Sequence, residues 1–334
     1  MTEFAIIKPD DFHTHLRQGK LMPHLVREAA KVFQRVLVMP NTLPPITSTD
    51  VVKKYHDELK DVGTDLEFLM TFRIMPDMVP NTIMELRKAG AIAGKLYPQG
   101  VTTNSEDGVL NIDGLFPVFS TMQEQNLVLC LHGEAPEVPD MERESAFFPT
   151  LKKIHKNFPK LRIVLEHVST KEAVECVREL GEKIAATITV HHLYLTTADV
   201  RNDHFNPFHF CAPICKSKKD REALRAAAMS GNPKFFFGSD SAPHLKKDKE
   251  GEHPKPGIYT TPVALPMLAE LFELNGKLER LENFTSRFGA GFYQLPLNKS
   301  SLTMQKKSWI VPDEYFGVVP LKEGESLQWR VKNE

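Results

Sequence analysis

Short apolar runs alternate with amphipathic stretches almost from end to end, and this alternation restricts the fold of the chain more than any other feature. Runs of strand length fall at 10–16, 35–41, 65–74, 91–98, 127–134, 162–169, 184–193 and 234–239. Stretches with helical spacing lie between them, at 22–33, 48–62, 79–88, 113–125, 170–180 and 218–230. Ser48 and Thr170 offer N-cap hydroxyls, and Gly90 and Gly181 stand just past helix ends, where a left-handed cap takes glycine. About eight β-then-α units with no Pro/Gly/Ser-rich linker predict an α/β fold, a (β/α)8 TIM barrel with parallel strands. An open, doubly wound sheet is disfavoured because no GxGxxG turn opens the first unit. Beyond the eighth strand, 262–274 and 282–293 read as helices, and 308–331 as short strands and turns packed outside the barrel. The whole of 1–334 is therefore read as one domain, with a core over about 4–293 and a C-terminal extension over about 294–334.

Composition excludes some partners. Hydrophobic residues make up 41% and the formal net charge is −1, so the chain has enough apolar material for a full core and no global field to attract nucleic acid or an anionic membrane. No apolar run approaches the roughly 18 residues of a membrane span, and the N-terminus does not read as a signal peptide. Cys130, Cys176, Cys211 and Cys215 are scattered without a CxxC, which suits a reducing cytoplasm. Cys211 and Cys215, flanked by Ala212, Pro213 and Ile214, read as buried thiols.

In such a barrel the working residues stand at the C-terminal ends of strands. His13 and His15 end the first strand, spaced so that both point to one face. Lys95 lies in the fourth strand, and His132, His167 and Asp240 end the fifth, sixth and eighth. Six such residues on one rim are hard to explain by packing, because buried polar groups are costly unless something satisfies them. Imidazoles and a carboxylate suit zinc or a similar metal, and two histidine pairs suggest two ions. Two dications need a bridging anion. The fourth strand offers no carboxylate but does offer Lys95, whose amine would be driven neutral beside them and could add carbon dioxide to form a carbamate. The alternative for Lys95 is a charge partner for substrate. Arg17 faces the same way as His15 and presents a planar fork to a carboxylate, its alternative being a rim salt bridge. His191 and His192, at the end of the seventh strand, are read as structural.

Together, Phe12-His13-Thr14-His15-Leu16-Arg17, Met39-Pro40-Asn41-Thr42, the 94–104 run, the two later histidine segments and 238–244 resemble the dihydroorotases, in particular the short-chain, monofunctional type of the amidohydrolase superfamily. The resemblance runs from about residue 4 to 320. It implies reversible cyclisation of N-carbamoyl-L-aspartate to L-dihydroorotate and water in pyrimidine synthesis. By the same resemblance, His13 and His15 ligate the more buried zinc ion, His132 and His167 the more exposed one, and carboxylated Lys95 (N6-carboxylysine) bridges the two. Asp240 is implied as both ligand and general acid/base. A bridging hydroxide would attack the ring carbonyl, and Asp240 would carry its proton to the leaving nitrogen. Arg17, Asn41 and His244 are implied to hold the substrate carboxylate, Thr102 and Thr103 to tip a mobile loop, and Ala212, Pro256 and Gly257 to make backbone contacts. A cytoplasmic homodimer acting on small molecules is implied as well. Two segments depart from the family. Ala212 replaces a larger apolar residue, and 245–256 is a charged, Pro-rich stretch that reads as a solvated loop and leaves the contacts at Pro256 and Gly257 open. Another cyclic amidase, hydantoinase-like, would keep the metal ligands without the carboxylate clamp. An inactive structural paralogue would have lost ligands, and all six are present.

Overall fold

The computed structural model describes residues 2–332. Strand β1 (Glu3–Ile7) precedes the barrel. The barrel comprises β2 (Asp10–Thr14), β3 (Arg35–Val38), β4 (Glu67–Arg73), β5 (Ala93–Leu96), β6 (Val128–Leu131), β7 (Arg162–Leu165), β8 (Ile184–Ile188) and β9 (Phe235–Phe237). These eight strands are hydrogen-bonded in chain order and all run parallel. Parallel neighbours require long return crossings, and helices supply them. In Thr49–Lys60, for example, Val52, Tyr55 and Leu59 are buried at helical spacing, and the Ser48 hydroxyl accepts from Val51 N. The seam closes between β9 and β2 by a parallel bridge from Thr14 to Ser241. There His15 N donates to Ser241 O (3.0 Å) and Asp240 N donates to His13 O (2.8 Å). The expected (β/α)8 barrel is the fold.

Several local expectations are corrected. The strands are shorter than the apolar runs, because the last residues of each run leave the ladder to form the mouth. The run 184–193 splits: β8 ends at Ile188 and Val190–Tyr194 is a short helix, started by the Thr189 hydroxyl accepting from His192 N (3.1 Å). His191 and His192 therefore sit on a helix and not on the strand. Gly90 adopts the expected left-handed conformation (φ 98), but the helix before Gly181 ends on extended Leu180 (ψ 160) and needs no glycine. Helix Arg143–Asn157 went unread because Pro149 interrupts its pattern, although Phe147, Leu151 and Ile154 keep a helical spacing and are buried. The segment expected as one helix over 282–293 opens with a π-turn, Asn283–Arg287, followed by Phe288–Tyr293. The extension forms β10 (Ser301–Ile310) and β11 (Ser326–Val331), and β10 also pairs antiparallel with β1. Buried Trp329 anchors this sheet, with Phe4 against its edge at 4.9 Å.

Inside the barrel, one apolar layer draws Phe12, Leu37, Leu69, Ala93, Val128, Val164, Ala185 and Phe236 from the eight strands, and Tyr293 stacks on Phe12 at 4.8 Å to floor it. Below the floor, Arg35 Nε and Nη2 donate to the two oxygens of Asp10 at 2.9 and 2.6 Å. Burial raises the Asp10 carboxyl above its ordinary value even so. We expect Arg35→Met to destabilise the fold by about 3–5 kcal/mol, since it strands a buried charge. Urea unfolding measures this, and a loss well under 1 kcal/mol would show that the pair contributes little.

Candidate active site

Strand alternation lifts Lys95 one layer above Ala93, and His132 stands two residues beyond Cys130 of the same floor. At β2 the pairing shifts register between Asp11 and Thr14, so His13 turns inward directly after Phe12. The Asp11 carboxylate pins this irregularity by accepting from His13 N (3.1 Å), Ser239 N (2.8 Å) and Ser239 Oγ (2.5 Å). Burial pushes the Asp11 carboxyl up to about 6. Arg17, His167 and Asp240 all hold left-handed backbone (φ 56, 44 and 43), a strain of order 1–3 kcal/mol apiece that aims side chains into the mouth.

The six residues expected to form a metal centre come together. His13 Nε2 and His15 Nε2 lie 3.2 and 3.1 Å from Asp240 Oδ1. The His13 and His167 rings are 5.1 Å apart, and those of His132 and His167 4.6 Å. Glu166 joins the set: one oxygen lies 3.1 Å from His13 Nδ1 and the other abuts Lys95 Nζ. The donor atoms of His13, His15 and Asp240 lie within 4.8 Å of one another, as do those of His13, Glu166 and His167. His132 Nε2 is taken by Glu134 Oε2 at 2.7 Å, which leaves Nδ1 to face a ligand.

Hydrogen-bond chemistry shows that a cation fits here. Asn41 donates its amide to Thr103 O (3.3 Å), so its oxygen accepts from His15 Nδ1 (2.9 Å). Burial lowers the imidazoles of His13, His132 and His167, and takes His15 to about 4, so the rings are neutral near pH 7. Neutral His15 then presents a bare Nε2 lone pair to the Asp240 carboxylate. His13 faces carboxylate oxygens at both nitrogens and has a single proton to share. His13 Nδ1, His167 Nδ1, Lys95 Nζ and both Glu166 oxygens lack an aligned hydrogen bond. A divalent cation satisfies such opposed lone pairs, and neutral imidazoles with carboxylates are a borderline-metal donor set. Burial alone would raise the Asp240 carboxyl, but His13 outweighs it and holds the group well below the usual carboxylate range. Burial brings the Lys95 amine down to about 7.

Arg17, Asn41, Thr102, Thr103, Ala212 and Gly257 wall the cavity in front of these ligands. His244 stands behind Arg17, its Nε2 3.0 Å from Arg17 Nη2, while Arg17 Nε donates to Pro243 O (2.8 Å). Burial and Arg17 push the His244 imidazole down to about 2, so its ring accepts from the guanidinium. Gly257 needs to be glycine: its φ is 144, and a Cβ there would stand 2.5 Å from Ala242 O. The loop bearing Thr102 and Thr103 is folded over the cavity, with Asn104 Nδ2 donating to Asn41 O (3.0 Å). The free volume left in the cavity is about 20 Å³, room for about one water.

A third buried group, His191, His192 and Cys211, is a weaker donor set. His192 Nδ1 and Nε2 are bonded to Thr189 Oγ1 (2.9 Å) and Pro213 O (3.0 Å), and Cys211 Sγ donates to Pro213 O (3.2 Å). All four cysteines are buried and free. Sequence reasoning missed Asp11, Glu134 and Glu166, although each lies one or two residues from a candidate ligand histidine. It also misread 245–256 as wholly solvated, for Lys249 is buried. No helix among the described residues is long and apolar enough to cross a membrane.

No family model matches the chain. A probable dihydroorotase of Schizosaccharomyces pombe is 43% identical over 326 residues, covering 96% of this chain and 96% of that protein. The crystal structure of dihydroorotase from Saccharomyces cerevisiae, in complex with 5-fluoroorotic acid, superposes with a TM-score of 0.94 at 36% identity over 99% of each chain. The L-hydantoinase (dihydropyrimidinase) of Arthrobacter aurescens has a TM-score of 0.83 over 98% of this chain and 83% of its own, but at 20% identity it shares the fold alone. Sequence and backbone agree over nearly the full length of both chains, and this protein belongs to the dihydroorotase family.

Proposed function

We propose that the chain catalyses the reversible cyclisation of N-carbamoyl-L-aspartate to L-dihydroorotate and water in pyrimidine synthesis. The observation that carries this reading is the meeting of His13, His15, His132, His167 and Asp240 at one barrel mouth, with Arg17 facing them and Lys95 joined to the group through Glu166. His13 and His15 would hold one zinc ion and His132 and His167 a second, with Lys95 as N6-carboxylysine and Asp240 completing the set. Bound there, the metal pair would supply Lewis acidity to the ring carbonyl and lower the pKa of water. Asp240, kept ionised by its histidine neighbours, takes up the proton released in ring opening and returns it to the ring nitrogen; in cyclisation it runs the same transfer backwards. Arg17 forks onto the substrate carboxylate, with Asn41, His244 and the backbone at Ala212, Pro256 and Gly257 beside it. Thr102 and Thr103 shut the cavity, and excluding bulk water protects the cyclic product. In the same reading the chain is one domain, core 4–293 and extension 294–334, working in the cytoplasm as a homodimer on small molecules, with no nucleic acid or membrane partner.

Steady-state turnover of dihydroorotate against hydantoin tests the assignment, and faster turnover of hydantoin, which has no carboxylate, would overturn it. Arg17→Met should raise KM for dihydroorotate about ten- to a hundredfold, the equivalent of one charged hydrogen bond of roughly 1.5–3 kcal/mol. An unaltered KM would remove Arg17 from the clamp.

A further inference from the structure

Residues 245–256 contain four lysines, Lys246, Lys247, Lys249 and Lys255. Three of them behave as a charged run does; Lys249 is only 3% exposed. A buried ammonium is costly unless its donors are met. Lys249 Nζ meets three carbonyls, donating to Phe210 O (3.1 Å), Lys255 O (2.9 Å) and Gly257 O (2.6 Å), one for each proton. Phe210 O also accepts from Gly257 N (2.9 Å). Those carbonyls belong to the two separate segments that supply Ala212 and Gly257 to the cavity wall. Burial lowers the ammonium to about 8, so it stays mostly protonated near pH 7. None of its three partners is a carboxylate.

We infer that Lys249 is a positioning residue for the anionic end of the substrate: it clamps the Phe210–Ala212 and Lys255–Gly257 backbones into one wall and leaves a net positive charge behind that wall. The inference rests on the dihydroorotase reading. The charge is what an apolar strut would not supply. Arg17 adjoins this wall, since His244 Nε2 lies 3.0 Å from Arg17 Nη2 and 3.1 Å from Pro256 O, and an uncompensated cation behind Gly257 adds to the pull of Arg17 on a substrate carboxylate. Lys249 contacts none of the six residues at the metal centre, so it acts on binding and leaves the chemical step alone.

The test is kinetic. In protein of wild-type melting temperature and metal content, Lys249→Met should raise KM for dihydroorotate about tenfold or more with kcat within about threefold, the signature of lost binding common to ground and transition states. Calorimetric affinity for orotate, which has the carboxylate and is not turned over, should weaken in parallel. Lys249→Arg, which keeps the charge and the donors, should restore KM toward wild type. If the methionine variant does not fold, Lys249→Gln, which keeps a donor but no charge, decides by the same ratio. A KM within about twofold of wild type in a folded neutral variant, or a fall in kcat at constant KM, would overturn the inference. Failure of the wild-type protein to open dihydroorotate would instead overturn the functional reading.

Discussion

Lys95→Ala should lose turnover almost completely, by at least about a thousandfold in kcat, together with metal held by the purified protein. The side chain is fully buried, and its amine abuts Glu166, which forms one compact donor group with His13 and His167. Burial lowers the amine to about 7. For a cationic acid the sign is clear: above that pH the neutral form predominates, and only the neutral amine can add carbon dioxide. Glu166 abuts Nζ and pulls the other way, toward the ammonium. In the proposed reading the carbamate forms once Glu166 leaves Nζ for His13 Nδ1, which lies 3.1 Å from its other oxygen. Truncation to alanine leaves a hole where three methylenes and the amine stood, and acetate or propionate should enter it and return part of the rate and of the metal. Metal analysis with rescue kinetics measures both. Turnover like that of the wild type, with or without added acid, would defeat the bridging role.

Asp240→Asn should leave the fold intact while kcat drops about a hundred- to ten-thousandfold in both directions, the usual range for a lost general acid/base. The substitution suits the backbone, because Asp240 sits at φ 43 and asparagine tolerates left-handed geometry better than most residues. The amide can still reach His13 and His15, so melting temperature and metal content should change little. Only the proton acceptor goes. Undiminished cyclisation and ring opening would remove Asp240 from proton transfer, whereas loss of one direction alone would be inconsistent with microscopic reversibility.

The site was legible in the chain wherever a local rule governs side-chain direction. His13 and His15 share a face because strands alternate, and His132, His167 and Asp240 fell at strand ends because each apolar run stops there. Their supports were not legible. Glu134 and Glu166 stand beside His132 and His167 in sequence, yet adjacency says nothing about which nitrogen a carboxylate will take, and Glu166 reaches His13 on another strand. His191 and His192 read as structural residues at a strand end, and the Thr189 cap that puts them on a helix instead was not legible. Pro149 concealed a helix of 15 residues whose buried face outweighs one missing hydrogen bond.

Alone, then, the order of residues determined the number of β/α units, the barrel they build and the identity of the six groups at its mouth, since periodicity and strand ends are short-range properties. Tertiary structure alone decided which atoms of those groups face one another. The seam that brings Thr14 to Ser241, the loop that lays Thr103 on Asn41 and the Phe210 carbonyl that helps draw Lys249 out of a charged run all join segments remote in the chain. Such contacts depend on how elements pack in space, and no short window of sequence contains both partners.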